Sequence, residues 1–208
     1  LSLRFLISGV LAILIARALG QNMNLTRSQW RGVVIFGLCQ NALYLGLNFV
    51  AMQTVEASLA AIIASTMPLI VAFAGWAFLG QRLPLMGVIG LFAGVAGVLL
   101  IMGMRVTGGV DLIGLALCVI GAASLAVATL TVKSVTAGGN VLMIVGLQML
   151  VGSAALIVPS LVFETLTFEP SWTLLAAFAY TTLVPGLLAT LVWFLLVDRI
   201  GAVKAATF

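Results

Sequence analysis

The side chains best suited to recognise a small solute lie in one apolar stretch, residues 32–52. Asn41, Tyr44 and Asn48 follow one another at spacings of three and four residues, which places them on one face of an α-helix. Two carboxamides and a phenol can hydrogen-bond the carboxylate and the ammonium of a zwitterion, while the tyrosine ring packs against an apolar side chain. With Gln40 beside them, they are candidate substrate-binding residues. Hydrogen bonding between helices is the open alternative.

Further hydroxyl groups occur just before prolines in two other apolar stretches. A proline inside a membrane helix frees a backbone carbonyl and allows a bend, so both prolines are candidate hinges. Hydroxyl side chains can also bond their own helix backbone, which is the favoured alternative for Ser and Thr. These candidates are Ser65 and Thr66, which precede Pro68, and Tyr180 and Thr181, which precede Pro185.

Seven long apolar runs must position these side chains. Hydrophobic residues make up 63% of the chain and charged residues 7%, against about 25% charged residues in soluble domains. Each run has about the ~17–25 residues that a helix needs to cross a bilayer. We therefore predict an all-α polytopic protein, multi-pass in the plasma membrane, with the lipid bilayer as one partner. The runs are approximately 2–19, 32–52, 57–79, 84–103, 110–132, 140–162 and 172–197.

The distribution of charge predicts the orientation. Charged residues are expected at the ends of runs or between them, because a charge in hydrocarbon costs about 2.5 kcal/mol or more. Helices that alternate in direction place seven Lys or Arg residues on one side and two, Arg4 and Arg105, on the other. The first side is then cytoplasmic by the positive-inside rule, and Arg4 is expected on the outer side.

Several function classes are disfavoured by what the runs contain. The chain has no histidine, and Cys39 and Cys118 are interpreted as small apolar residues, so no metal or other cofactor is expected. The net charge of +4 comes without a basic cluster, which argues against nucleic-acid binding. No Asp, Glu, Lys or His lies in the middle of a run, so an enzyme would lack catalytic groups. A neutral or zwitterionic solute fits these runs better than an ion.

One run carries four glycines on a single helical face. Their spacings of three, four and three residues predict a seam where another helix backbone can approach closely. The glycines are Gly87, Gly90, Gly94 and Gly97.

A short sequence pattern recurs at an offset of 145 residues. Asn48-Phe49, a short turn and the Ala-rich stretch from Ala57 correspond to Trp193-Phe194, a short turn and the Ala-rich stretch from Ala202. Alternation places the two turns on opposite sides of the membrane, as in the inverted-topology repeats of secondary transporters.

The string Ala57-Ser-Leu-Ala-Ala, followed by Pro68-Leu69, Gly80-Gln-Arg-Leu83 and a Gly-rich helix, resembles the EamA-like repeat of the drug/metabolite transporter superfamily. The resemblance implies ten helices in two inverted five-helix repeats around a central cavity, and export of small metabolites, often amino acids. Residues 1–103 would be helices 2–5 of the first repeat, and residues 104–208 helices 6–8 and the start of helix 9 of the second. The family often has Glu where this chain has Gln81, which puts a gating role for that turn in doubt.

Together these features predict a secondary transporter that exports amino acids or similar small neutral or zwitterionic metabolites by alternating access. The alternative is a non-transporting membrane interaction module or an inactive fragment. The sequence leaves the oligomeric state and the energy coupling open.

Overall fold

A computed structural model describes residues 1–80, 84–106, 109, 111–136, 140–163 and 171–205. Within these ranges the regular secondary structure is helical throughout, and two helices contain a wider, π-helical segment, here named π1 and π2. The elements are α1 (Ser2–Ala18), α2 (Arg27–Phe36), π1 (Gly37–Leu45), α3 (Gly46–Ala51), α4 (Ala57–Ala64), α5 (Met67–Leu79), α6 (Leu85–Val106), α7 (Leu112–Thr136), α8 (Val141–Phe163), α9 (Trp172–Thr181), π2 (Thr182–Leu188), α10 (Ala189–Ile200) and α11 (Ala202–Ala205).

Six helical stretches of the described residues are long and apolar enough to cross a membrane. A seventh, α1, has 17 residues, which is at the lower limit for a span. The prediction of an all-α polytopic membrane protein is therefore confirmed. The six stretches are Arg27–Ala51, Ala57–Ala77, Leu85–Gly103, Leu112–Val132, Val141–Val162 and Trp172–Ile200.

Two boundaries differ from the apolar runs for local reasons. The second helix begins at Arg27 rather than near residue 32, because Thr26 and Gln29 form a capping box in which each side chain accepts from the other's backbone N–H. The run 57–79 is divided between α4 and α5, just before Pro68 in the first turn of α5. Proline lacks the N–H that would continue the preceding helix.

Among the described residues, α1 and α8 are the most extensively packed pair of helices, and they run antiparallel. Ser2 and Ser153 exchange hydrogen bonds, each hydroxyl donating to the other's backbone oxygen at 3.0 and 2.9 Å. Seven residues further along α1, a Cβ on Gly9 would lie 3.0 Å from the carbonyl oxygen of Gly146, and one on Gly146 would lie 2.9 Å from that of Gly9. The two glycines let the helix backbones touch, which is how membrane helices pack closely.

Two segments of the chain, one beginning with α2 and the other with α9, have the same order of elements at an offset of 145 residues. Thr26 and Ser171 both cap their helices by accepting from a backbone N–H three residues on. The π segments begin 145 residues apart, and so do the short helices α4 and α11 that follow the two turns. Sequence similarity between the turns was weak, but the boundaries of the elements coincide in register.

The two repeated segments run in opposite directions along α7. Near the start of α2, the Gln29 side chain donates to Val135 O at 3.3 Å, close to the end of α7. Near the end of α10, Asp198 accepts from the Thr136 hydroxyl at 2.7 Å, at that same end of α7. One segment therefore begins where the other ends, which is an inverted-topology arrangement.

Arg4 lies level with the middle of the neighbouring helix α8, and its expected place on the outer side of the membrane stays a prediction. Because Ser2 pairs with Ser153, Arg4 lies two residues deeper, about level with Val151 near the midpoint of α8. From that level α8 continues for twelve residues, or about 18 Å, to Phe163.

Candidate functional site

Buried polar side chains gather where α1 and α8 meet the two π segments. All are at most 3% exposed, although the surrounding core is apolar. Because α1 and α8 pair in register and π1 runs beside α8, these groups form a layer in the middle of the bundle. The layer comprises Ser8, Asn41, Gln148, Ser153 and Thr182.

Asn41 and Gln148 form the strongest polar contact of this layer. The Asn41 amide donates to Gln148 Oε1 at 2.6 Å and to Gln148 O at 3.2 Å. Two glycines, Gly37 on π1 and Gly152 on α8, make room for it, because a Cβ on either would overlap the facing helix. The Nε2 of Gln148 is buried and has no hydrogen-bond partner among the described residues. An unpaired buried donor of this kind is available to a polar ligand if the contact opens.

Asn41, Tyr44 and Asn48 do not form the single face that their spacing predicted. Asn48 is 8% exposed, donates to Tyr44 O of its own helix at 2.8 Å, and lies against Gly121 of α7. Asn41 instead faces α8. The wider turn of π1 rotates the residues away from the α-helical positions on which the prediction depended. Tyr44 is half-buried between these two contacts.

Gln40 offers an acceptor rather than a donor. The side chain is partly exposed, but its Oε1 is buried and has no hydrogen-bond partner among the described residues. A membrane interior without water makes such an atom costly unless something bonds it. Gln40 is therefore the predicted site residue whose chemistry is most clearly unsatisfied.

The hydroxyl candidates near the prolines bond their own helices. Ser65 and Thr66 donate to carbonyl oxygens three residues back, at 2.6 Å each. Thr181 donates to Ala177 O at 2.8 Å, and Tyr180 is 63% exposed on the outside of the bundle. The alternative of local backbone bonding thus describes the three Ser and Thr side chains here.

Ser8 was not singled out from the sequence. Its hydroxyl donates to Thr182 O at 2.9 Å, at the start of π2, and a Cβ on Gly186 would lie 3.0 Å from Ser8 Oγ. The contact joins α1 to the opposite repeated segment, as Asn41 joins π1 to α8. The available signal was a small hydroxyl residue within an apolar run, which is common in membrane helices and therefore weak.

Both candidate hinges lie at irregular points of their helices. Pro68 follows the break between α4 and α5, and Pro185 lies inside π2. A third proline, Pro159, lies inside α8 and was not singled out.

Of the glycine-rich face of α6, Gly94 lies against the neighbouring helix α5. A Cβ on Gly94 would lie 2.8 Å from a methyl group of Leu69 on α5, whereas Gly90 and Gly97 face open space. An apolar cleft of about 490 Å³ lies between α5, α6 and α7, and the hydroxyl-bearing Thr66 is its most polar lining residue.

At the far end of α7 from Thr136, Asp111 caps the helix. Its carboxylate accepts from the Thr54 hydroxyl at 2.7 Å and from the backbone N–H groups of Gly114 and Ile113 at 3.0 and 3.2 Å. The Thr54 hydroxyl, with the two backbone donors, lowers the pKa of this carboxyl below its usual value. The contact joins α7 to the turn between α3 and α4.

Inverted helical segments that pack around buried polar groups are a common architecture of membrane transporters. Residues 1–103 match the sequence profile of the EamA-like transporter family. That match agrees with the resemblance found in the sequence, and the family belongs to the drug/metabolite transporter superfamily. Over 209 residues it is 28% identical to the uncharacterized transporter YvbV of Bacillus subtilis (strain 168), covering 99% of this chain and 68% of that protein. The protein is therefore a multi-pass membrane transporter.

Proposed function

We propose that the protein is a secondary transporter of the bacterial inner membrane that exports amino acids or similar small neutral or zwitterionic metabolites by alternating access. We take residues 1–103 and 104–208 as the two halves of the chain. One observation carries the proposal: α1 and α8 pack antiparallel, and each contacts the π segment of the opposite half, Ser8 with Thr182 and Asn41 with Gln148. The polar layer therefore lies where the two halves meet.

The seam between the halves suits a rocking motion. Its closest contact is between glycine backbones, Gly9 against Gly146, so at this point no side chain of either residue stands between the helices when one half tilts against the other. Hydrogen bonds between membrane helices are worth about 0.6 kcal/mol each, so the polar contacts can break and re-form during a cycle. The π segments and Pro185 supply carbonyl groups that are not fully used within their helices.

The substrate class follows from the groups that are left unsatisfied. Gln40 Oε1 can accept from an ammonium group, and Gln148 Nε2 can donate to an oxygen. Tyr44 follows Gln40 by four residues, is half-buried, and supplies an aromatic surface. We propose these residues, with Asn41 and Asn48, as the substrate-binding set. Ser65, Thr66, Tyr180 and Thr181 stay as weaker candidates because their hydroxyls already bond their own helices or face outward.

The test is transport by the complete gene product, purified and placed in liposomes. Uptake of a panel of radiolabelled amino acids is measured with and without a proton gradient. Saturable flux of at least one amino acid is expected, with Gln40→Ala reducing it and Asn24→Ala, in the exposed connection before α2, leaving it unchanged. The absence of saturable flux for every amino acid would contradict the proposed substrate class and favour the non-transporting alternative.

A further inference from the structure

Arg4 is a charged side chain of α1 that lies level with the middle of α8. The pairing of Ser2 with Ser153 places it about level with Val151, near the midpoint of α8. Arg4 is half-buried, and its Nε atom is buried with no hydrogen-bond partner among the described residues. The one electrostatic contact seen for it there is with the ring of the adjacent Phe5, whose centre lies 4.9 Å from the guanidinium carbon.

Among the residues that the structure describes, this arrangement leaves a permanent positive charge without an anionic partner. A guanidinium keeps its charge in proteins and carries five N–H donors, none of which an aromatic ring satisfies as a hydrogen-bond acceptor would. Ionisable residues at membrane depth are costly and usually mark a ligand or ion pathway. The position of Arg4 on α1 supports a role in a ligand pathway. Arg4 lies one turn before Ser8, whose hydroxyl bonds the start of π2. The charge thus lies beside the contact between the two halves.

We infer that Arg4 binds the carboxylate of the transported solute. The inference depends on the proposed function and narrows its substrate class to solutes that carry a carboxylate, whether or not they also carry an amine. The planar guanidinium matches the two oxygens of a carboxylate through a pair of parallel hydrogen bonds. A lipid phosphate is the other anion in a bilayer, but α8 continues about 18 Å beyond the level of Arg4, which puts headgroups out of reach of its side chain.

The experiment compares matched acids and amides as ligands of the complete gene product in detergent. L-leucine and isocaproate are the acids, and L-leucinamide and isocaproamide are the same molecules with the carboxylate replaced by an amide. The readout is the rise in melting temperature with ligand concentration. The acids are expected to stabilise the wild type and the amides are not. Arg4→Gln should raise the half-maximal acid concentration roughly 10- to 100-fold, and Arg4→Lys by less.

Arg17→Gln is the matched control, because Arg17 is an exposed cation near the other end of the same helix. It should respond to the acids as the wild type does. Equal stabilisation by acids and amides, no stabilisation of the wild type by either acid, or an unchanged acid response in Arg4→Gln would each overturn the inference. If Arg4→Gln does not fold, the acid preference of the wild type and the response of Arg4→Lys decide it.

The inference and the proposed function can fail separately. Amino-acid flux that is insensitive to Arg4→Gln would leave the transporter proposal standing and remove the role of Arg4. Binding of isocaproate through Arg4 without amino-acid flux would keep Arg4 as a carboxylate-binding residue and would contradict amino acids as the transported solutes.

Discussion

The Asn41 side chain donates to both the side-chain oxygen and the backbone oxygen of Gln148, at 2.6 and 3.2 Å, and so joins π1 of one half to α8 of the other. Gln148 is completely buried. Removing one partner leaves the other unsatisfied in an apolar interior, whereas removing both leaves nothing unpaired. The pair is therefore expected to behave as an energetic unit.

A double-mutant cycle tests that unit. Asn41→Leu and Gln148→Leu should each lower the free energy of unfolding in detergent, and the double variant should lose less than the sum. The expected coupling is about 0.6 kcal/mol, with about 1.7 kcal/mol as the upper end for membrane helices. Strict additivity would show that the two side chains do not depend on each other.

The contact between α1 and α8 should tolerate no added methyl group. In Gly146→Ala the new Cβ would lie 2.9 Å from Gly9 O and 2.6 Å from an Ile13 methylene, so the two helices must separate. We expect a loss of about 1–3 kcal/mol in the free energy of unfolding. Gly90→Ala on α6 is the matched control, since a Cβ there meets nothing within 4 Å. It should be neutral or stabilising by up to about 1 kcal/mol. Equal melting temperatures for the two variants would contradict the close α1–α8 contact.

The cap of α7 should make stability depend on pH in the acidic range. The folded-state pKa of Asp111 is lowered, chiefly by the Thr54 hydroxyl. The contribution of a group with a lowered pKa is fully present above its unfolded-state value, about 3.9, and is lost as the pH falls through the folded-state value. Asp111→Asn should therefore melt below the wild type at neutral pH, and the difference should shrink as the pH falls below about 4. Melting curves between pH 3 and pH 7 measure this. A difference that is constant with pH would exclude the carboxylate as its source.

The orientation of the bundle can be tested by labelling. In a background with Cys39 and Cys118 replaced by Ser, a single cysteine at Asn24 should react with a membrane-impermeant maleimide from the cytoplasmic side. A cysteine at Ser58 should react from the outer side, because the helix from Arg27 to Ala51 separates the two positions. Both positions are exposed in the structure. The reverse pattern would overturn the orientation that the positive-inside rule predicts.

Much of the architecture could be read from local patterns. Apolar runs of bilayer length predicted membrane helices because a helix satisfies its own backbone hydrogen bonds in hydrocarbon. The sequence pattern that recurs after 145 residues predicted the inverted arrangement. The element boundaries of the segments that begin with α2 and α9 share that offset. Pro68 and Pro185 indicated irregular helices because a missing N–H acts locally, whatever surrounds it.

The composition of the polar layer was decided by tertiary structure. The sequence placed Asn41 and Asn48 on one face, but π1 widens the helix, and the two side chains contact different neighbours, α8 and α7. The sequence did not show which part of another helix lies beside Arg4, and the register of α1 against α8 places it level with the middle of α8. Local sequence determines which helices form, because backbone bonding and side-chain hydrophobicity act over a few residues. The neighbours and the level of each polar group depend on the register and the distance at which helices far apart in sequence pack. Glycine contacts such as Gly9 with Gly146 set that register.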